Sequence, residues 1–501
     1  MNSAPHQTQS NPFPGLRPFR SDENHLFFGR EDQAAALLQL LRKNRFLAVV
    51  GTSGSGKSSL VRAGLIPELH GGTMNQAGSV WEVLVLRPGG SPFENLARAL
   101  IDADLYEGDD PNSLPRLRAT LSRSRYGLVE AVKQSDVIEP STNVLVVVDQ
   151  FEELFRFRQQ GIGSEEAATA FVNVLLTAVS QDECRVYVAV TMRSDYLGDC
   201  SEIPGLAEAV NNGEYLIPRL QRDQKHDAIV KPVGVGGAKI APLLVQRLLN
   251  DIGDDPDQLP VLQHALMRMW GVWSAGGDRA RPIDFPDLEA TGGLAAALSQ
   301  HADEVYESLP DDAHRAACEK IFKTLTEKAS DNRGIRRPTR LERLVAIAGA
   351  DRATVIRVLD GFRQHGVTFL MPGVDVELDD RTVIDLSHES LMRGWRRLRD
   401  WVEEEAQSAR IFRRLSDTAS LWRDGRAGLF RDPDLQIALS WREEERPNGT
   451  WAEQYGADFE ATIAFLEKSR DAATAEEQER EEARRRELEQ ARQLAETRER
   501  A

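Results

Sequence analysis

The chain is poor in the features that would let it cross a membrane, cage a metal or coat a nucleic acid. Its longest apolar runs, "FLAVV" and "VLVVV", are strand-sized, far short of the roughly 18 residues that span a bilayer. Cysteine is scarce. Cys184, Cys200 and Cys318 stand apart with no metal-like spacing, which excludes a disulfide scaffold and fits a reducing cytoplasm. Positive charge is in deficit, with 62 Lys and Arg against 79 Asp and Glu and a net charge of -17. That balance argues against a general nucleic-acid or membrane coat. The N-terminus, "MNSAPHQTQSNPFPG", lacks a basic-then-apolar leader pattern. No segment repeats at a period of roughly 20 to 50 residues. A cytoplasmic protein without membrane partners is the expectation.

What is present can fold. A hydrophobic content of 41% is ordinary for a globular chain. The 501 residues exceed one compact core, so roughly two to four domains are expected. Residues 1–12 are polar and read as disordered. Residues 46–218 alternate strand and helix signals, with strands at "FLAVV" (46–50), "EVLVLR" (82–87), "VLVVVD" (144–149), "RVYVAVT" (185–191) and "EYLIP" (214–218). Near-continuous apolar strands separated by helices indicate a parallel sheet covered on both faces. We assign residues 13–218 to this α/β domain. A helical domain follows over 219–305, where "IAPLLVQRLLNDI" and "QLPVLQHALMRMWGVW" have helical spacing. Residues 306–402 give helices and then two short strands, "TFLMP" and "TVIDLS", the order of a winged helix. A helical region spans 403–470, with Trp422, Trp441 and Trp451 as packing anchors. Residues 471–501 form a charged helix, either solvated or half of a coiled coil.

"GTSGSGKS" fits G-x-x-x-x-G-K-[ST] and lies between a buried strand and the helix "KSSLVRAGLIPEL". Glycines at 51, 54 and 56, with Ser53 and Ser55, let backbone N–H groups turn inward around phosphate oxygens. The helix N-terminus adds partial positive charge at Lys57, Ser58 and Ser59. Lys57 is expected to reach the β- and γ-phosphates and the Ser58 hydroxyl to ligate Mg²⁺. The competing reading is a Gly/Ser-rich linker. In "NVLVVVDQFEELF" a buried strand ends in Asp149, beside the cradle at the sheet's carboxyl edge. Asp149 is expected to hold Mg²⁺ through water. Glu152 or Glu153 can then polarise the attacking water, although acids also favour a helix start. In "VYVAVTMRSDYL" a strand ends at Thr191, and Arg193 follows as a candidate γ-phosphate contact. An ion pair with Asp195 is the alternative for Arg193. These assignments describe an α/β P-loop NTPase that holds a nucleotide with Mg²⁺.

The strand "VLVVVDQFEE" and the terminal "TMR" resemble the STAND NTPases, signal-transduction ATPases with numerous domains. "NPFPGLRPF", "FFGRE", "LPVLQHAL", "GGLAAALSQHADEVY" and "LSHESLMRGWRRLRDW" resemble the bacterial novel STAND group, over about residues 11–470. The resemblance implies the additional-strand class of sheet and ATP or ADP as the nucleotide. It further implies that Phe28, Gly29 and Arg30 lie against adenine and ribose, and that Pro260 caps the adenine. Position 258 is Gln where the family has Gly. It implies that His388 contacts the ADP β-phosphate at rest; a core or capping histidine is the alternative. It also implies a homo-oligomer in the ATP state and a WD-repeat type of sensor beyond residue 501.

Three functions compete. The first is an ATP/ADP-controlled switch with slow hydrolysis, closed with ADP and self-assembling with ATP. The second is an origin-recognition-like ATPase acting on nucleic acid through its winged helix. No dense Lys/Arg stripe on "RATVIRVLDGFRQHG" supports it. The third is a scaffold that binds ATP without hydrolysing it, which Asp149 and the two following glutamates disfavour.

Overall fold

The computed structural model describes residues 11–71, 80–108, 110–139, 141–159, 164–182, 184–252, 258–328, 334–456 and 458–500. The chain divides into two compact units, Met1–Gln300 and His301–Ala501. Among the described residues no helix is long and apolar enough to cross a membrane.

The first unit is organised by five parallel strands: β1 (Phe46–Gly51), β2 (Trp81–Leu86), β3 (Asn143–Val148), β4 (Val186–Arg193) and β5 (Glu214–Leu216). Their order is β2-β3-β4-β1-β5, so β4 is the additional strand inserted between β1 and β3. Successive residues of a strand point to opposite faces, and here both faces are buried. Phe46, Ala48, Val50, Val144, Val146, Val148, Val188 and Val190 enter one core. Leu47, Val49, Leu145, Val147, Tyr187 and Ala189 enter the other. The helix α1 (Glu31–Asn44) covers the second face with Ala34, Leu37 and Leu41.

The sheet differs from the sequence reading at its ends. β4 runs on to Arg193 rather than stopping at Thr191, because Met192 is buried and Val50 and Gly51 still pair with Met192 and Arg193. Asp149 lies just past β3. β5 is shorter than expected: Ile217 N–H still donates to Val50 O at 2.8 Å, but Pro218 has no N–H to continue the ladder.

The same unit contains the helices Arg222–Val235, Pro242–Ile252 and Gln258–Ala275, packed around Trp270 and Trp273. Phe13 enters this core, and Asn11 Nδ2 donates to Met267 O at 2.8 Å. Asn11 and Pro12 therefore belong to an ordered segment; residues 1–10 of the expected disordered stretch lie outside the described residues.

In the second unit, helices Asp312–Thr324, Leu341–Ala348 and Arg352–Arg363 accompany an antiparallel sheet whose last two strands follow them in the chain. Its strands are β8 (Thr339–Arg340), β9 (Leu370–Met371) and β10 (Val383–Leu386), in the order β8-β10-β9. This is the winged-helix order, with β8 as an unexpected third strand. A further hairpin, β6 (Thr326–Lys328) with β7 (Gly334–Arg336), was not evident in the sequence. Arg363 is 2% exposed and ties down the loop after β9, donating to Pro372 O, Gly373 O and Val376 O, each at 2.6 Å. Trp441 and Trp451 pack on Phe412, while Trp422 sits at the rim of that core. The charged segment is continuous with what precedes it, as one helix Phe459–Arg500 whose later turns expose Leu488 and Leu494.

His264 is fully enclosed in the helix Gln258–Ala275. Burial, then the nearby Arg268 charge, push its imidazole from an ordinary 6.5 down to about 3. The folded state thus favours neutral His264. The associated stability is complete above pH 6.5 and is lost as pH falls toward 3. Between pH 6.5 and 5.5 this group should remove about 1 kcal/mol of stability. A denaturant titration at both pH values should show that loss in the wild type and a smaller one in His264→Leu.

Candidate functional site

β1 delivers the chain to Gly51, where a Cβ would come within 2.3 Å of Ile217 Cγ2 and 2.9 Å of Ser55 Oγ. The loop then passes through left-handed backbone at Gly54 (φ 75°) and Gly56 (φ 89°), which glycine adopts without the penalty a side chain incurs. A curl of this kind gathers N–H groups toward an anion at the mouth of the next helix. That helix begins as α2 (Lys57–Ser59), continues as a π-helical turn (Leu60–Leu65) and ends as α3 (Ile66–His70). Lys57 arches over the loop, its Nζ donating to Gly51 O at 3.0 Å and Thr52 O at 2.7 Å. Ser53 is half-buried, and Ser59 Oγ accepts from Phe19 N–H at 3.3 Å.

Register places the acidic partner. Val148 of β3 pairs with Val190 of β4, so the next residues, Asp149 and Thr191, stand side by side. Asp149 is 1% exposed. Its Oδ1 accepts from Ser58 Oγ and from Thr191 Oγ1, both at 2.6 Å. Its Oδ2 accepts from Arg62 at 3.1 Å. Burial alone would raise this carboxyl, but the charges of Arg62 and Arg87 and the two hydroxyl bonds hold it below its ordinary value. Gln150 follows with φ 61°, a left-handed conformation that a non-glycine residue rarely adopts. Its N–H is satisfied by Thr191 Oγ1 at 2.9 Å.

That sharp turn separates the two glutamates. Glu152 is buried and accepts from Arg193 N–H at 3.3 Å. Burial pushes its carboxyl above the ordinary value, against the pull of the nearby Lys57 charge. Glu153 turns away and accepts from Gly89 N–H at 3.1 Å, with Arg156 at 3.7 Å. Arg193, beside Gly51 in register, pairs with Asp195 at 2.6 Å.

The "FFGRE" segment lies close to the loop. Gly29 has φ 85°, and a Cβ there would meet Gln224 O at 2.5 Å. Phe28 is half-buried, with Lys231 Nζ 5.5 Å from its ring centroid. Arg30 is buried and turns its guanidinium into the protein, donating to Ser55 O at 3.0 Å and Pro218 O at 2.7 Å. It thereby fastens the loop to the end of β5. Arg30, Thr52, Ser55, Pro218, Lys225 and Leu259 line a cavity of about 150 Å³. Leu259 precedes Pro260 in the first turn of its helix; Pro260 is half-buried and is not among the lining residues. His388 lies in the second unit, where its Nδ1 accepts from Ser390 N–H at 3.0 Å at the start of the helix Ser390–Gly394.

The structure thus brings Gly51 to Ser59, Asp149, Glu152 and Arg193 to one edge of the sheet. Arg30, Arg62, Gln150 and Thr191 acquire places that spacing did not reveal. The donor set suits a hard divalent cation. One hydroxyl and one carboxylate share a hydrogen bond at 2.6 Å, while no group of three or more His, Cys, Asp or Glu among the described residues forms a self-contained cage. Mg²⁺ is ordinarily held in this way, by one or two protein oxygens together with substrate phosphates.

The model of the family described as Novel STAND NTPase 1 matches residues 12–428. No curated protein matches the chain. Among solved structures, the ORC2 protein of Aeropyrum pernix in ADPNP–ADP complexes is 12% identical over 76% of this chain and 94% of its own, with a TM-score of 0.40. A Walker-type ATPase of Pyrococcus abyssi is 13% identical over 77% of this chain and 99% of its own, at 0.36. The ORC1 protein of Aeropyrum pernix in complex with DNA is 14% identical over 77% and 94%, at 0.37.

The Arg30 latch is testable. Arg30 reaches Pro218 O and Ser55 O with two separate nitrogens of its planar fork; a lysine has a single nitrogen and no fork, so Arg30→Lys should weaken this clamp. Calorimetric titration with ADP should show affinity reduced about tenfold. Unchanged affinity would remove Arg30 from the account of the loop.

Proposed function

The chain belongs to the novel STAND NTPase 1 family, and from that premise we propose that it is an ATP/ADP-controlled switch with slow hydrolysis. The observation that carries this reading is the buried Asp149 carboxylate bonded to Ser58 of the phosphate loop, with Glu152 buried nearby. In this reading the loop N–H groups and Lys57 hold the phosphates, and Ser58 and Asp149 face Mg²⁺. When bound, the ion neutralises charge on the β- and γ-phosphate oxygens. Glu152, a stronger base through its burial, orients the attacking water and takes its proton as the γ-phosphorus leaves ADP. Glu153 has a supporting role through Gly89. Phe28, Gly29, Arg30 and Pro260 shape the nucleoside side, and His388 is assigned to the ADP state by family resemblance.

Slow turnover accords with Arg193. Its guanidinium is engaged by Asp195 at 2.6 Å, so stabilising a γ-phosphate transition state requires that pair to rearrange. ATP and ADP share every group except the γ-phosphate, so only differential contacts there can shift a conformational balance. We assign ADP to the closed state and ATP·Mg²⁺ to the self-assembling one, in a cytoplasmic protein with a sensor beyond residue 501. The nucleic-acid reading is weaker. The loop between β9 and β10 carries Asp375, Glu377, Asp379 and Asp380, and Arg352 is paired with Asp380 at 3.1 Å. An acidic wing repels a phosphate backbone.

Light scattering should give a larger particle with ATP·Mg²⁺ than with ADP, and Lys57→Ala should abolish the difference. A monomer in both states, with DNA-stimulated phosphate release, would favour the nucleic-acid reading. Glu152→Gln should slow phosphate release by about 100-fold or more while retaining ATP binding. Glu153→Gln should chiefly lower the melting temperature. Equal rate losses in both variants would reject the assignment of Glu152 as the base.

A further inference from the structure

The helix leaving the phosphate loop is not a plain α-helix. Its second turn, Leu60–Leu65, is π-helical, and such turns concentrate at functional sites. Leu60, Val61, Ala63, Gly64 and Leu65 of that turn are buried. Arg62 is the turn's one charged residue and keeps 27% of its side chain exposed. One terminal nitrogen of its guanidinium donates to Asp149 Oδ2 at 3.1 Å. Among the described residues its Nε is buried without a hydrogen-bond partner.

Asp149 is therefore divided. Oδ1 takes the two hydroxyls of Ser58 and Thr191, and Oδ2 takes Arg62. A divalent ion approaching Ser58 and Asp149 meets a positive charge already bound to that carboxylate. Like charges a few ångströms apart in a buried site repel strongly, so ion and guanidinium cannot both engage Asp149 fully.

We propose that Arg62 is a positioning residue that sets the divalent-cation requirement of the site, by holding Asp149 as an internal counter-cation and competing with the metal for it. Through Arg62, the loop helix responds to whether a metal accompanies the nucleotide. The inference rests on the reading of Asp149 as the metal-facing carboxylate of a nucleotide site. Arg62→Met removes the charge while keeping an apolar stem of similar reach; Arg62→Lys retains a charge.

The experiment titrates Mg²⁺ against binding of a fluorescent ADP analogue to the full chain, with melting temperatures in EDTA and in Mg²⁺–ADP. Arg62→Met should lower the half-saturating Mg²⁺ concentration by about tenfold. It should melt below wild type in EDTA, and the gap should narrow with Mg²⁺–ADP. Arg62→Lys should stay near wild type in both readings. A purely structural arginine would lower both melting temperatures equally and leave the Mg²⁺ requirement alone. An unchanged or increased Mg²⁺ requirement in Arg62→Met, beside a normal wild-type response, overturns the proposal and leaves the nucleotide site standing. Wild type that binds the analogue at no Mg²⁺ concentration overturns the nucleotide reading itself. Should Arg62→Met not fold, Arg62→Gln carries the same expectation.

Discussion

A carboxylate placed out of water must be compensated, and much of the first unit is arranged around that requirement at Asp149. An uncompensated buried charge costs several kcal/mol. Here it is met by Ser58, Thr191 and Arg62. These groups come from the loop helix and from β4, while Asp149 itself follows β3. The carboxylate therefore links the phosphate loop to two strands. The position of β4 follows from the same constraint, since only a strand between β1 and β3 can offer Thr191 to Asp149 and Arg193 to the start of the loop. The left-handed turn at Gln150 is part of it too: Thr191 Oγ1 donates to Asp149 while accepting the Gln150 N–H.

The phosphate loop was legible because its chemistry lies in a contiguous stretch. Glycine, lysine and serine at fixed spacing between a buried strand and a helix have few other uses. The core strands were legible for a similar reason, since "FLAVV" and "VLVVV" lack the polar alternation of a half-exposed sheet. What the sequence could not convey depends on register or on irregular backbone. Spacing left Glu152 and Glu153 equivalent; the turn at Gln150 sends one toward Arg193 N–H and the other to Gly89. Nothing in the sequence singled out Arg62, because a π-helical turn has no simple sequence signature. Arg30 was placed with the nucleotide by resemblance; that its buried guanidinium bonds two backbone carbonyls was not foreseen. Asp195 as a partner for Arg193 was visible as an alternative, and the ion pair is present.

A switch needs more than a site. Moving a two-state balance from 1:99 to 99:1 takes about 5.5 kcal/mol of differential binding, more than one side chain readily supplies. In the proposed reading the difference is shared among Lys57, Arg193, Glu152 and the metal-facing pair, each already tied to a backbone or side-chain partner. Those ties make the γ-phosphate consequential, because engaging it means releasing Arg193 from Asp195 and rearranging the groups around Asp149.

In the proposed switch, Asp149 is the metal-facing node of a nucleotide site. The measurement that tests this role most directly is calorimetric binding of ADP to wild type and Asp149→Asn, with Mg²⁺ and with EDTA. Mg²⁺ should strengthen binding to wild type, and Asp149→Asn should keep the metal-free affinity but lose the gain from Mg²⁺. A full Mg²⁺ gain in Asp149→Asn would contradict it.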